Sequence, residues 1–521
     1  MKKFITSAAT AALSAMMLFT SVACSYANNT AVQAMPVNTA VQLEYSAQFP
    51  QTIETATSTT LRMMEEMSIP GVTIALVDAE TGFSWTQGFG YADSGNGLRV
   101  DEHTLFQIGS ASKLFTAVAI MQLVEQGIID LDKPIVTYLP EFSILPSFRF
   151  GGNPDNITAR MLLTNTSGVV SDNFGGGFMT VGNEHYRGAM NDALDWIVTQ
   201  EMTFEEGTQF DYANTGWVLL GIIAARMTGH SDYFDGFVQY TDEFIFELLG
   251  MDRSTYQFLG SLTNVAMPYL ETGTPEEMFL TNALSAGSVL SSAHDMARFM
   301  QTMLSDGTLD GQRLLTQETI MYMLQNHTTH VEMAPGFEGY GLGAIHMNVN
   351  GLETVGHGGN SLFYHTELIF NLENGLGVFV STNSATGAAA ASPIAHEIMA
   401  AALMEKTGSV PRVEAEDVPL GLAGLEPVTL SGDALENFIQ WAGIYTVVRH
   451  VENDMPPLLE IAIAVDETDM PMITLVQTFG AMAVPLTLID GRWFLGRWPV
   501  LFAEEDGVAT IDILGGRFVR Q

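Results

Sequence analysis

The chain has 521 residues, enough for two or three domains, and 47% of them are apolar, so large cores can be buried and disorder is excluded as the general state. A single cysteine excludes an intramolecular disulfide framework and any cysteine-based zinc site. With 59 acidic against 20 basic residues the formal charge is −39, which disfavours nucleic acid and anionic lipid as partners.

Residues 1–27 read as an export signal. Lys2 and Lys3 form a positive start, Phe4 to Thr20 is largely apolar, and Ser21-Val22-Ala23 and Ser25-Tyr26-Ala27 are small-residue cleavage sites. This predicts a periplasmic or secreted protein with no membrane insertion after processing. Cys24 raises a second reading, a lipoprotein anchored through that residue, although Ser21 is a poor match to the aliphatic residue expected three positions earlier. Apart from Lys2 and Lys3, the lysines are Lys113, Lys133 and Lys406.

Leu43 to Met67 reads mostly as helix. Gly71 to Asp78 and Phe83 to Ala92 read as a strand pair turned at Glu80-Thr81-Gly82. A strong helix follows from Ser110 through Gln126, stopped by Gly127. Helices and loops fill Leu131 to Val289, including an apolar helix from Trp217 to Met227, and another helix runs from Ser292 to Leu304. Tyr364 to Asn371 and Gly375 to Thr382 are strand-like, turned at Glu373-Asn374, and Ser392 to Lys406 is helical. Strands at both ends with helices between predict an α/β (α+β) sandwich with an antiparallel sheet and a helical subdomain over residues 43–406. Pro411, Pro419 and Pro427 punctuate a linker over 407–429. Residues 430–521 read as a small all-β, barrel-like domain. Its strand signals are Ala442 to Val448, Leu458 to Val465, Met472 to Gln477, Val484 to Ile489, Arg492 to Trp498 and Val508 to Leu514. Asp490-Gly491, Asp506-Gly507 and Gly515-Gly516 supply hairpin turns.

Three short motifs carry chemistry. In Gly109-Ser110-Ala111-Ser112-Lys113, an S-x-x-K on a helix puts Ser110 and Lys113 on one face. A serine at the helix N-terminus stands near unpaired N–H groups that favour a developing oxyanion. A lysine in a pocket loses solvation and becomes a usable base. In Asp211-Tyr212-Ala213-Asn214, a tyrosine beside a cation ionises more readily and can shuttle a proton, and Asn214 can orient Lys113. In Gly356-His357-Gly358-Gly359-Asn360, placed just before the strand at Tyr364, glycines allow close backbone approach. A strand-edge N–H there can complete an oxyanion hole with that of Ser110, and His357 can hydrogen-bond the tyrosine or the substrate. Each motif alone has an ordinary explanation as an N-cap, a core tyrosine or a turn. Their joint occurrence, in this order and at these spacings, favours a site. His365 reads as structural, and His396-Glu397 lacks the second histidine of a zinc motif.

The set Ser110-x-x-Lys113, Tyr212-x-Asn214 and His357-x-Gly359 resembles the serine β-lactamase-related hydrolases: class C β-lactamases, low-molecular-weight penicillin-binding proteins, D-aminopeptidases and family VIII esterases. Leu162-Leu163-Thr164-Asn165-Thr166-Ser167-Gly168 resembles another segment of that superfamily, with Asn165 where histidine is usual, and Gly207-Thr208-Gln209-Phe210 resembles its lead into the tyrosine, with Glu206 for a usual proline. Ser285-Ala286-Gly287 with Ser292-Ala293-His294-Asp295-Met296-Ala297 matches a further one. The resemblance covers about residues 45 to 405 and implies the β-lactamase/transpeptidase-like fold.

It also implies that Ser110 is the nucleophile and that Lys113 and Tyr212 form the base system. Asn214 orients, and Asn360 supplies the second oxyanion N–H. The implied reaction is acyl transfer through an acyl-enzyme, with no metal or cofactor. His357 stands where class C β-lactamases carry a lysine that holds the substrate carboxylate. Neutral histidine there favours ester or modified-peptide substrates. Expected partners are small ester, amide or peptide substrates. Alternatives are a D,D-carboxypeptidase or D-aminopeptidase, a weak β-lactamase, and an inactive penicillin-binding sensor. The C-terminal part, with Ala442-Gly443-Ile444-Tyr445 near its start, resembles lipocalin-like modules appended to some of these hydrolases.

Overall fold

The computed structural model describes residues 48–170, 178–180, 185–257, 262–270, 275–281, 283–333, 337–349 and 351–409, and the backbone of further strands between 443 and 520. The expected export signal, residues 43–47 and the expected linker beyond residue 409 lie outside these residues; Thr407, its first residue, is instead the last of a helix.

The main sheet has eight strands: β1 (Gly71–Asp78), β2 (Phe83–Asp93), β3 (Leu98–Arg99), β4 (Phe337–Tyr340), β5 (Ile345–Val349), β6 (Leu352–Asn360), β7 (His365–Asn371) and β8 (Leu376–Thr382). Their order is β4-β5-β6-β7-β8-β1-β2-β3, every pair antiparallel. The first and last parts of the domain thus meet at the sheet centre, where Ala75 faces Phe379 and Leu76 faces Val378. β1, β7 and β8 are buried on both faces. That is why they read as apolar runs rather than as strict alternation.

One face is covered by α1 (Pro50–Met67) and the last helix of this part, here α5 (Ala391–Thr407). The other face, carrying Ala75, Val77, Leu368, Phe370 and Phe379, joins one core with α2 (Lys113–Glu125), α3 (Asn214–Met227) and α4 (Ala293–Leu304). α2 and α3 are buried all round, from Lys113 to Leu123 and from Asn214 to Ala225. Helices with no polar face belong at the centre of a core. Each buried leucine or phenylalanine there contributes roughly 1.5–3 kcal/mol relative to exposure. At the sheet's rim Lys406 Nζ reaches Asp78 at 2.9 Å and Glu80 at 2.8 Å, tying the end of α5 to the β1–β2 turn.

Two expectations are corrected. The Ser110 helix opens with a 3₁₀ turn, Gly109–Ser112, before α2 begins at Lys113. The Gly356–Asn360 motif, which the sequence places just before a strand, is itself the end of β6, paired on one side with β5 and on the other with β7. Neighbouring strands on both sides hold glycines extended that local propensity would leave as a loop.

Beyond residue 443 nine strands form an antiparallel meander: β9 (Gly443–Arg449), β10 (Leu458–Val465), β11 (Pro471–Gln477), β12 (Gly480–Pro485), β13 (Thr487–Ile489), β14 (Arg492–Leu495), β15 (Trp498–Glu505), β16 (Val508–Ile513) and β17 (Gly516–Arg520). The order is β12-β11-β10-β9-β17-β16-β15-β14-β13. β12 and β13, one residue apart in sequence, stand at opposite ends of this order.

Candidate active site

Ser110 sits in the 3₁₀ turn that leads into α2, and Lys113 is the first residue of the α-helix proper. Lys113 is fully buried. Its Nζ lies 3.1 Å from Ser110 Oγ, 2.6 Å from Asn214 Oδ1 and 2.8 Å from the carbonyl oxygen of Ala286. The latter two are acceptors only, so two Nζ hydrogens are committed to them. The third tetrahedral position faces Ser110. In the ammonium it donates to Oγ. In the free amine it is a lone pair aimed at the Oγ hydrogen, which is what a base for this serine needs.

Tyr212 lies on the segment entering α3. Its ring centroid is 4.7 Å from Lys113 Nζ and 5.9 Å from the His357 ring. Asn214 opens α3 and is buried, which places its amide against Lys113. The three sequence motifs therefore meet in one place, as the S-x-x-K, Y-x-N and H-x-G spacings anticipate.

The end of β6 packs directly on the nucleophile turn. A Cβ on Gly359 would stand 1.8 Å from the carbonyl oxygen of Ile108 and 3.1 Å from Ser110 N. A Cβ on Gly109, where φ is +53°, would stand 2.9 Å from Asn360 N. Only glycine at both positions lets the two backbones approach this closely. Ser110 and Asn360 line the same cleft, about 300 Å³, with Gln107, Asn214, Thr281, Ala283, Ala286, Gly287 and Ser361 among the others. Every lining residue is uncharged.

His357 is buried and points inward rather than into open solvent. Its Nδ1 is 2.6 Å from the Gly358 carbonyl oxygen and its Nε2 is 3.0 Å from Tyr340 Oη. Burial pushes the Tyr340 phenol well above its ordinary range, so it keeps its proton. A hydrogen on Nδ1 is donated to the Gly358 carbonyl, and Nε2 shares a hydrogen bond with the Tyr340 hydroxyl.

Two partners were not legible from sequence. Ala286 acts through its backbone carbonyl, and no side-chain motif signals that, although its Ser285-Ala286-Gly287 segment is one of the resembling stretches. Tyr340 gave no signal among its glycines. His365 turns out to brace the cleft: its Nδ1 is 2.7 Å from Asn360 Oδ1. Burial holds its imidazole down at about 4, so it stays neutral.

A family profile described as Beta-lactamase matches residues 58–403, more than half of the chain and all of the segment that builds this cleft. The chain belongs to the β-lactamase family. A penicillin-binding protein named PbpX, designated putative, from Bacillus subtilis (strain 168) is 30% identical over 236 residues, 44% of this chain and 53% of that one. Protein flp from Staphylococcus aureus (strain MW2) is 28% identical over 194 residues, 37% of this chain and 36% of that one. The chain thus spans between about a third and about half of the length of these relatives. Among solved structures, the octameric penicillin-binding protein homologue from Pyrococcus abyssi superposes with a TM-score of 0.56 at 25% identity, covering 90% of this chain and all of that one. A structure of SurE with D-Leu gives a TM-score of 0.59 at 20% identity over 90% of this chain and all of that one, a likeness of fold. The expected sandwich with an antiparallel sheet is therefore the β-lactamase/transpeptidase-like fold, matched over residues 58–403. Among the described residues no helix is long and apolar enough to cross a membrane.

Proposed function

We propose that this β-lactamase-family protein is an exported serine acyl hydrolase acting on esters or uncharged amides. The observation that carries the reading is Lys113, buried and held by Asn214 and Ala286 so that its remaining position meets Ser110. In the first step Ser110 Oγ attacks the acyl carbon. Its proton passes to the Lys113–Tyr212 pair and then to the leaving group, as the carbonyl electrons move to oxygen. The N–H groups of Ser110 and Asn360 receive the oxyanion. Collapse expels the leaving group and gives an ester on Ser110, which water hydrolyses by the reverse proton path. Export rests on the residue pattern of 1–27.

Charge supports the neutral-substrate reading. None of the described residues lining the cleft is cationic, and Lys113 beside it is engaged by Asn214, Ala286 and Ser110. Lys133 pairs with Asp130 and Lys406 with Asp78 and Glu80. Both ring nitrogens of His357 are engaged by Gly358 and Tyr340. Among the described residues, a carboxylate in this cleft would find no cation other than the engaged Lys113 to replace its water.

A second reading, a peptidase or penicillin-binding activity, draws on the names of the relatives at 25–30% identity. Labelling the protein with a fluorophosphonate and a fluorescent penicillin, side by side, separates the two. Strong fluorophosphonate labelling with weak penicillin labelling is expected. Rapid stoichiometric penicillin labelling would favour the second reading, and no labelling by either would refute both.

A further inference from the structure

Asn165 is the one non-glycine position in its segment with a left-handed backbone, at φ 55°. Asparagine tolerates that conformation better than most residues. It is almost fully buried, at 1% exposure. Its backbone carbonyl accepts the N–H of Asp211 at 2.9 Å, and its side-chain Oδ1 accepts the N–H of Ala213 at 3.2 Å. These two donors flank Tyr212. The same Oδ1 accepts the indole N–H of Trp217 at 3.1 Å, one turn into α3. With two N–H groups aimed at it, the atom facing them must be the oxygen, so the amide orientation is settled by its partners. The other amide atom, Nδ2, engages the Tyr340 hydroxyl. The side-chain oxygen is spent on the tyrosine segment.

We propose that Asn165 is a positioning residue for Tyr212: by clamping the residues on either side of it, Asn165 holds the phenol over Lys113. The inference rests on the serine hydrolase reading, in which Tyr212 moves protons. It specifies a residue that touches neither substrate nor Ser110 and that acts only through the tyrosine.

The test is a double-mutant cycle on the full chain with a p-nitrophenyl ester, using Asn165→Gly, Tyr212→Phe and the pair. Glycine keeps the left-handed backbone and its carbonyl but removes Oδ1. Asn165→Gly should lower kcat about 10- to 100-fold, within the range typical of general acid–base contributions, while KM stays within about threefold. In the Tyr212→Phe background the same change should cost less than about twofold, because the residue it positions has already lost its hydroxyl. Asn165→Asp, which keeps the acceptor, provides a second arm if the glycine variant does not fold. Its kcat should stay within about tenfold of the unmodified protein. Full multiplicativity in the cycle, or an Asn165→Asp loss as deep as that of Tyr212→Phe, would overturn the proposal. A Tyr212→Phe variant of undiminished activity would instead overturn the role of Tyr212 in the parent reading.

Discussion

Lys113 Nζ donates to Asn214 Oδ1 at 2.6 Å across 101 residues of chain, joining the first turns of two helices that are buried all round. This bond fixes which way the amine faces. Asn214→Ala should remove the shortest of the bonds to Lys113 Nζ and lower kcat/KM for an ester on the order of 10²-fold, with the fold intact by circular dichroism. Lys113→Ala and Tyr212→Phe should each cost on the order of 10²-fold or more and, together, far less than the product, because the two serve one proton transfer. Steady-state kinetics on the four variants decides it; independent, multiplicative losses would show that no such unit exists.

Gly359→Ala puts a methyl group where the Ile108 carbonyl oxygen already stands, 1.8 Å away. β6 must then move off the nucleophile turn and carry Asn360 N with it. Loss of one oxyanion donor costs roughly 10²- to 10³-fold in kcat. Acylation measured by stopped flow should fall by about that factor while KM changes little. Acylation at the unmodified rate would remove Asn360 from the oxyanion hole.

The His357 position, facing inward and engaged by Gly358 and Tyr340, sets a substrate preference. It is read as the ratio of kcat/KM for a p-nitrophenyl ester over a chromogenic cephalosporin, which should favour the ester. His357→Lys supplies a cation, and a charge-assisted bond is worth roughly 1.5–3 kcal/mol. The ratio should then shift toward the cephalosporin by roughly 10- to 100-fold. Efficient cephalosporin turnover by the unmodified protein would contradict the assignment.

Asp211, half-buried beside Tyr212, has its carboxyl pushed up to about 6 by burial. A carboxyl raised in the folded state favours its protonated form there. Folding is therefore penalised as the pH rises from the ordinary carboxylate range to about 6, and the penalty is complete above that. Asp211→Asn should raise the thermal midpoint at pH 7, by about 1–3 kcal/mol in stability, and leave it unchanged near pH 4. Calorimetry at the two pH values checks this. An equal gain at both would assign the effect to something other than ionisation.

Much of this geometry was legible in the residues. The Ser110–Lys113 spacing needs only helical periodicity, and β1, β2, β7 and β8 announce themselves through β-branched and aromatic runs bounded by turns. The end of β6 does not: Gly356, Gly358 and Gly359 have no side chains to pack, and only pairing with β5 and β7 makes them a strand. β4 and β5 were missed for a related reason, since their half-exposed faces are short and broken by polar residues. In the C-terminal part, Val484 to Ile489 was read as one strand. It is the run where β12 and β13 meet, while β17 after Gly515 carried too little alternation to stand out. The Asn165 clamp was visible only as an unusual residue in a familiar segment. Its meaning depends on Asp211, Ala213 and Trp217, more than 40 residues away, and tertiary contacts of that kind leave no local trace.

Everything above depends on Ser110 being the nucleophile, and intact-mass measurement after brief incubation with an activated ester tests that directly. The unmodified protein should gain the mass of one acyl group, while Ser110→Ala, folded by circular dichroism, should gain none. An adduct of equal yield on the Ser110→Ala variant would contradict the assignment.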